Sequence, residues 1–359
     1  MNPLIPGFAL IIVAAVCGGA FALPIRIRRR FELENLYVIA ACVTMLILPY
    51  IAARLWLPHW QMAIAAAGGG TIIRGLAYGF AWGLGAITFG YGVNAVGLSI
   101  GYAVIMGINT AVGSLLPFLA QSPDYLFKPA GLVILAGIAG CIVGVAVCGR
   151  AGHLREHLAV LAANAVGDAA EPPRPQPAET SRMRLGLLLC ILSGVLSACA
   201  NLGFAFTARA GAEAVKLGAN PVIASLDSWM LVYWGGVIAT LLWFGGLQLK
   251  RGTWRNNFGP GAGHDFGLAI GMGVLWFLAM IPYGMGAYYL GHLGTSVGWA
   301  INIAASLILA NGLGFLTGEW KRAPRRSRAV LYWGLIVLLA AMATLGAGNA
   351  LASRVGLSV

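Results

Sequence analysis

Two aromatic pairs in the sequence share one spacing. Trp82 and Phe89 are seven residues apart, as are Trp276 and Tyr283, at an offset of 194 (276 − 82). Seven residues make about two helical turns, so each pair falls on one helical face. Tyr102, Met106 and Asn109 also share a face, and so do Trp299, Asn302 and Ser306. Flat rings with neutral amides and hydroxyls suit the holding of an uncharged polar molecule. Ring faces cover its apolar surface while the amides pair with its hydroxyls. Trp82, Tyr102, Asn109, Trp276, Tyr283, Trp299, Asn302 and Ser306 are therefore the candidate binding residues. A plainer role stands beside this one. Buried Asn often only links helices, and Trp near a span end often only marks an interface.

One acid is placed to move a proton. Asp227, in ASLDSWMLVYW, lies six residues after Pro221, about 9 Å along a helix. An ionisable group inside an apolar run is a functional candidate, so Asp227 is the expected proton-coupling residue. The alternative is an acid that reaches the aqueous face. Glu213 and Arg209 read as a solvated pair, and Glu319, beside Trp320, as an interfacial acid. Arg74 reads as a cation that snorkels outward or meets a substrate.

No catalytic constellation and no metal site is expected. GLSIG and GTSVG match the G-x-S-x-G nucleophile pattern, but that elbow needs a strand-to-helix turn in a soluble α/β fold. Here the glycines read as helix-packing faces. HLREH sets His153 and His157 one turn apart with no third ligand near. Cys17, Cys42, Cys141, Cys148, Cys190 and Cys199 lie in apolar runs without metal-ligand spacing and read as small packing residues.

The elements that must position these groups follow from composition. Of 359 residues 59% are hydrophobic and 9% charged, with a mean hydropathy of +0.83. A soluble domain carries about a quarter charged residues, which excludes one here. Ten apolar runs qualify as membrane spans, at roughly 3–23, 36–57, 72–94, 97–119, 130–148, 183–208, 221–249, 266–290, 293–317 and 328–350. Backbone groups in lipid must bond within their own segment, so these are helices and the chain is an all-α membrane protein. The first run is not a cleavable signal: AFA at 20–22 resembles a cleavage site, but no Lys or Arg precedes the run and RIRRR follows it.

The net charge of +12 does not imply nucleic acid, because the basic residues sit between spans, as topology demands. All but six of the 23 Lys and Arg follow odd-numbered spans, in RIRRR (26–30) and KRAPRRSR (321–328) above all. The six are Arg54, Arg74, Lys128, Arg209, Lys216 and Arg354. The basic side is therefore expected in the cytoplasm and both termini in the periplasm of a bacterial inner membrane. Residues 1–148 make a first set of five spans, 149–182 a cytoplasmic linker and 183–359 a second set. The linker opens with the basic helical stretch GRAGHLREH and turns into EPPRPQPAE, which cannot remain helical.

The two sets echo one another. GLSIGYAVIMGINTAVGSLLPFL (97–119) and GTSVGWAINIAASLILANGLGFL (294–316) match at Gly97/Gly294, Ser99/Ser296, Gly101/Gly298, Ala103/Ala300, Leu116/Leu313, Phe118/Phe315 and Leu119/Leu316. Five spans is an odd number, so the second set enters the membrane in the opposite direction. The expected fold is a 5+5 inverted repeat, the plan of secondary transporters, whose site lies near the midplane between halves.

WGLGAITFGYGVNAVGLSIGYAVIMGINTAVGSLLP (82–117), GRAGHLRE (149–156) and GEWKRAPRR (318–326) resemble segments of the bacterial L-rhamnose–proton symporters. That family belongs to the drug/metabolite transporter superfamily of ten-helix inverted-repeat carriers. The resemblance implies a proton-coupled importer of L-rhamnose or a related small polyol, with the proton as coupling ion and no other cofactor. Its partners would be the sugar and the bilayer, in a monomer or homodimer. Members of the family carry amides where this chain has Ala86 and Ala279, and Asn where it has Thr88; the acid at Asp227 is not part of the resemblance. An exporter of metabolites or drugs shares the architecture, but one for lipophilic cations would place a carboxylate in the pocket, and the runs assigned to spans 3, 4, 8 and 9 contain none. An intramembrane enzyme would need paired acids or a His–Glu set at depth. A receptor or scaffold would need neither repeat nor pocket.

Overall fold

The computed structural model describes residues 3–354 except 22, 165–176, 317, 319 and 322. Among the described residues it is helical without strands, and ten helical segments are long and apolar enough to cross a membrane. They are span 1 (Leu4–Ile25), span 2 (Leu33–Trp56), span 3 (Gly69–Val96), span 4 (Ser99–Gln121), span 5 (Pro129–Arg155), span 6 (Met183–Lys216), span 7 (Ser225–Arg251), span 8 (Ala262–Tyr289), span 9 (Gly291–Leu316) and span 10 (Arg325–Arg354). Each expected run has its helix. The absence of a strand leaves neither GLSIG nor GTSVG the turn a nucleophile elbow requires.

Span 3 packs against spans 6 and 7, and span 8 against spans 1 and 2. Span 4 lies against spans 5 and 6, and span 9 against spans 10 and 1; spans 5 and 10 pair with each other, as do spans 4 and 9. Adding five to every number turns one set of pairings into the other. A further correspondence lies inside the helices. Span 2 loosens into a π-helical turn at Val43–Ile47, and span 7 does the same at Leu241–Gly245.

Small residues set these approaches. A Cβ on Gly79 of span 3 would collide with the backbone carbonyl of Val232 on span 7, and one on Gly137 of span 5 would press into Leu345 of span 10. At the end where span 1 finishes and span 8 begins, the basic turn is pinned. Asp265 accepts hydrogen bonds from the backbone N–H of Arg29 (3.1 Å), Arg30 (2.6 Å) and Phe31 (2.8 Å). Beside it, Glu34 accepts from Thr253 at 3.0 Å, and the Asn35 amide reaches Asn257 at 2.7 Å.

GRAGHLREH continues the helix of span 5, which runs from Pro129 to Asn164; the next helix starts at Pro177. Most of EPPRPQPAE and Glu319 lie outside the described residues. The expected Arg209–Glu213 pair does not form. Glu213 pairs instead with Lys216 at 2.9 Å, one turn along the amphipathic helix Ala208–Lys216, while Arg209 is exposed.

Candidate functional site

Trp82 is the middle residue of span 3 and Trp276 the middle residue of span 8. Their rings meet edge to face, centroids 5.5 Å apart at 81°. Trp82 also leans on Tyr233 of span 7, and its ring edge approaches Gly236, where Met45 of the span 2 π-turn arrives from the other side. Trp276 is backed by Phe21 at 5.6 Å. Both indoles are partly exposed, as a surface facing a ligand path must be.

A second group runs from Asn109, in the middle of span 4, toward the end where spans 4, 6 and 8 finish and spans 7 and 9 begin. Tyr283, fully buried, stands 5.3 Å from the Trp299 ring, and the Trp299 indole N–H donates to the Asn109 carbonyl oxygen at 3.3 Å. Trp299 can occupy that place because Gly113 offers no side chain against its indole. The Tyr283 hydroxyl donates to Asn201 Oδ1 at 2.5 Å. The Asn201 amide in turn donates to the carbonyls of Gly113 (2.8 Å) and Thr295 (2.9 Å). The Thr295 hydroxyl donates to Gln121 at 2.9 Å. These bonds seal the bundle at this end, joining spans 8 and 9 to spans 4 and 6.

The structure thus brings Tyr283, Trp299 and Asn109 into one cluster and Trp82 and Trp276 into another. Asn302 is buried with its carbonyl oxygen unpaired. Tyr102 lies apart, its ring against Phe89 at 6.2 Å, and the Ser306 hydroxyl donates to the Ala15 carbonyl of span 1 at 3.3 Å. Arg74 is exposed and bonds the Gly70 carbonyl of its own helix.

Asp227 lies in the first turn of span 7, fully buried, and neither carboxylate oxygen has a partner. It does not reach the aqueous face. Two more polar atoms of the same helix, Trp229 Nε1 and the Tyr233 hydroxyl, are likewise buried and unpaired. His153 and His157 stack at 6.2 Å, and among the described residues no three His, Cys, Asp or Glu side chains gather as a metal site would require. The cysteines are free, buried or half-buried.

Asn201 and Asp265 were missed. Asn201 is the one amide in the apolar passage SACANLGFAF, a signal that the aromatic spacing overshadowed. Asp265 sits just before the run starting at 266, but the helix begins at Ala262 and takes it into its first turn.

Ten membrane-length helices, with an aromatic contact at the midpoints of spans 3 and 8, define the class: a multi-pass membrane protein. The chain belongs to the L-rhamnose-proton symport protein (RhaT) family, whose pattern it matches over residues 1–351. Among its relatives, the L-rhamnose-proton symporter of Cronobacter sakazakii is 27% identical over 364 residues, covering 97% of this chain and 99% of that one. The proteins of the same name from Citrobacter koseri and from Escherichia coli O1:K1 / APEC are 26% and 24% identical, with the same coverage.

Proposed function

We propose that the protein imports a neutral sugar, L-rhamnose or a closely related polyol, coupled to the inward movement of a proton. Its halves rock around a site at the membrane midplane. The observation that carries this reading is the contact of Trp82 with Trp276, two equivalent residues at the midpoints of spans 3 and 8. The names of the relatives supply the sugar and the proton, and the neutral aromatic–amide lining suits a sugar.

The 5+5 inverted repeat is supported by the helix pairings that exchange when five is added, and by the two π-turns at matching places in spans 2 and 7. It agrees with the plan of the drug/metabolite transporter superfamily. The excess of Lys and Arg after odd-numbered spans supports a cytoplasmic position for that side in a bacterial inner membrane; in that orientation the Tyr283–Asn201 seal faces the periplasm. Asp227 is the proposed proton site, since a buried unpaired carboxyl is costly unless it has work to do. Ala86, Thr88 and Ala279 stand where family members carry amides, and this departure is why the proposal extends to sugars related to L-rhamnose.

The test is uptake into proteoliposomes under an imposed pH gradient, with radiolabelled L-rhamnose beside a panel of sugars, polyols and sugar acids. Gradient-driven accumulation of a neutral sugar supports the reading. Preference for organic cations, or folded protein that accumulates none of the panel, refutes it and favours an exporter.

A further inference from the structure

A cavity of about 400 Å³ opens at the sealed end of the bundle, on the far side of Tyr283 from the tryptophan pair. Its volume is within the ordinary range of small-molecule sites, about 300–1,000 Å³. Spans 4, 6, 7, 8 and 9 all contribute to its wall. Polar groups come from Gln121, Ser225, His292 and Thr295, and ring surface from Tyr288 and Phe204. No Lys, Arg, Asp or Glu is among the residues that line it, although Arg209, Glu213 and Lys216 lie on the helix beside it.

Two features separate this cavity from the site at the midplane. Gly284, Ala287 and Gly291 line it, whereas Trp276 lies seven residues earlier on span 8 than Tyr283, about 10 Å along the helix. Between them runs the hydrogen-bonded seal of Tyr283, Asn201 and Thr295. The polar groups of the cavity also retain capacity. Gln121 accepts from Thr295 and donates to the Ala205 carbonyl at 3.1 Å, which leaves one amide hydrogen and a lone pair unused. An amide and hydroxyls beside exposed ring surface, without charge, match a molecule rich in hydroxyls. They do not match an ion, whose burial would call for a countercharge.

We propose that this cavity is a loading subsite, which holds one neutral monosaccharide outside the closed seal before the seal opens onto the midplane site. The proposal rests on the sugar-transport reading above and adds a second position for the sugar on its path. Gln121 and Thr295 belong both to the subsite and to the seal. Sugar hydroxyls that compete for their hydrogen bonds would loosen the seal from outside, so that loading and opening are coupled.

The experiment uses the full chain in nanodiscs, with a cysteine reporter placed at the exposed rim as Ala212→Cys and, separately, in the wall as Ser225→Cys. Alkylation by a bulky polar maleimide is timed with and without L-rhamnose, and with a neutral sugar panel. At ten times the dissociation constant, occupancy slows the reporter roughly tenfold by mass action. The same measurement is repeated after Trp82→Ala and, separately, Trp276→Ala at the midplane, each checked for a cooperative unfolding transition. Protection that persists in a folded midplane variant supports the subsite. Protection lost there reports only a conformational response to midplane binding and overturns it, as does absence of protection in the parent by sugars that the same reporter protein transports. A wild-type protein that moves no sugar defeats instead the functional reading beneath it.

Discussion

Trp82 and Trp276 meet edge to face at 5.5 Å, each at the midpoint of its helix, although 194 residues separate them in the chain. An edge-to-face pair contributes about 0.5–1.5 kcal/mol beyond the area it buries. The greater consequence is positional: two partly exposed indoles meet at helix midpoints, where the proposed function seats the sugar ring. Replacing either Trp with Ala should raise the half-saturation concentration for uptake at least about tenfold, while Phe should retain part of the affinity. Initial-rate uptake measures both, and an unchanged value in the Ala variants would remove the pair from the binding site.

Asp227→Asn separates carrying a proton from carrying a sugar. The carboxyl is buried without a partner, so an amide of the same size can replace it with little disturbance. Accumulation driven by a pH gradient should disappear, while exchange of labelled for unlabelled sugar at equal pH should persist. If gradient-driven accumulation survives, another group carries the proton.

Asn201→Ala should cost stability. It takes Oδ1 from the buried Tyr283 hydroxyl, which keeps only its 3.3 Å bond to the Thr295 carbonyl, and it leaves the Gly113 carbonyl without its amide donor. A buried polar group left unpaired costs about 1–3 kcal/mol, so thermal unfolding should shift down by several degrees. Tyr283→Phe removes the hydroxyl with its bonds to Asn201 and to the Thr295 carbonyl, keeps both amide bonds of Asn201, and should shift it less. Equal shifts would mean that Asn201 does not act as the hub.

Gly113→Ala should act on Trp299 rather than on its own helix. The added methyl meets the indole nitrogen and displaces it from Asn109, at about 1–3 kcal/mol for overpacking. Trp299→Phe removes the colliding ring, so the double variant should be more stable than the sum of the single effects predicts. A double-variant unfolding series reads this directly, and strict additivity would contradict the contact.

Much of the frame was legible in the sequence. Runs of about 20 apolar residues leave the backbone only one solution in lipid, and all ten were found. The aromatic spacing put Trp82 and Trp276 forward as candidates, and their rings meet, whereas Phe89 and Tyr283 lie apart, against Tyr102 and Trp299. What hid from the sequence were the residues that act through partners far along the chain. Asn201 reaches Gly113 and Thr295, 88 and 94 positions away, and no local period marks such a bond. Asp265 escaped for a different reason. A hydropathy boundary stops at the first charge, whereas this helix continues through it because the N–H groups of Arg29, Arg30 and Phe31 replace the water that the carboxylate gives up.

The seal at the cavity floor also sets a waiting time. Four hydrogen bonds join spans 8 and 9 to spans 4 and 6: Tyr283 to Asn201, Asn201 to Thr295, Thr295 to Gln121 and Trp299 to Asn109. At about 1 kcal/mol net for each, these bonds together favour the closed form by about 4 kcal/mol, a factor of about a thousand from the seal alone. A sugar that binds the open form about a thousandfold more tightly would balance the two populations. A chain that weakened any one bond would admit its cargo sooner, and would leave the membrane correspondingly less tight in the cargo's absence.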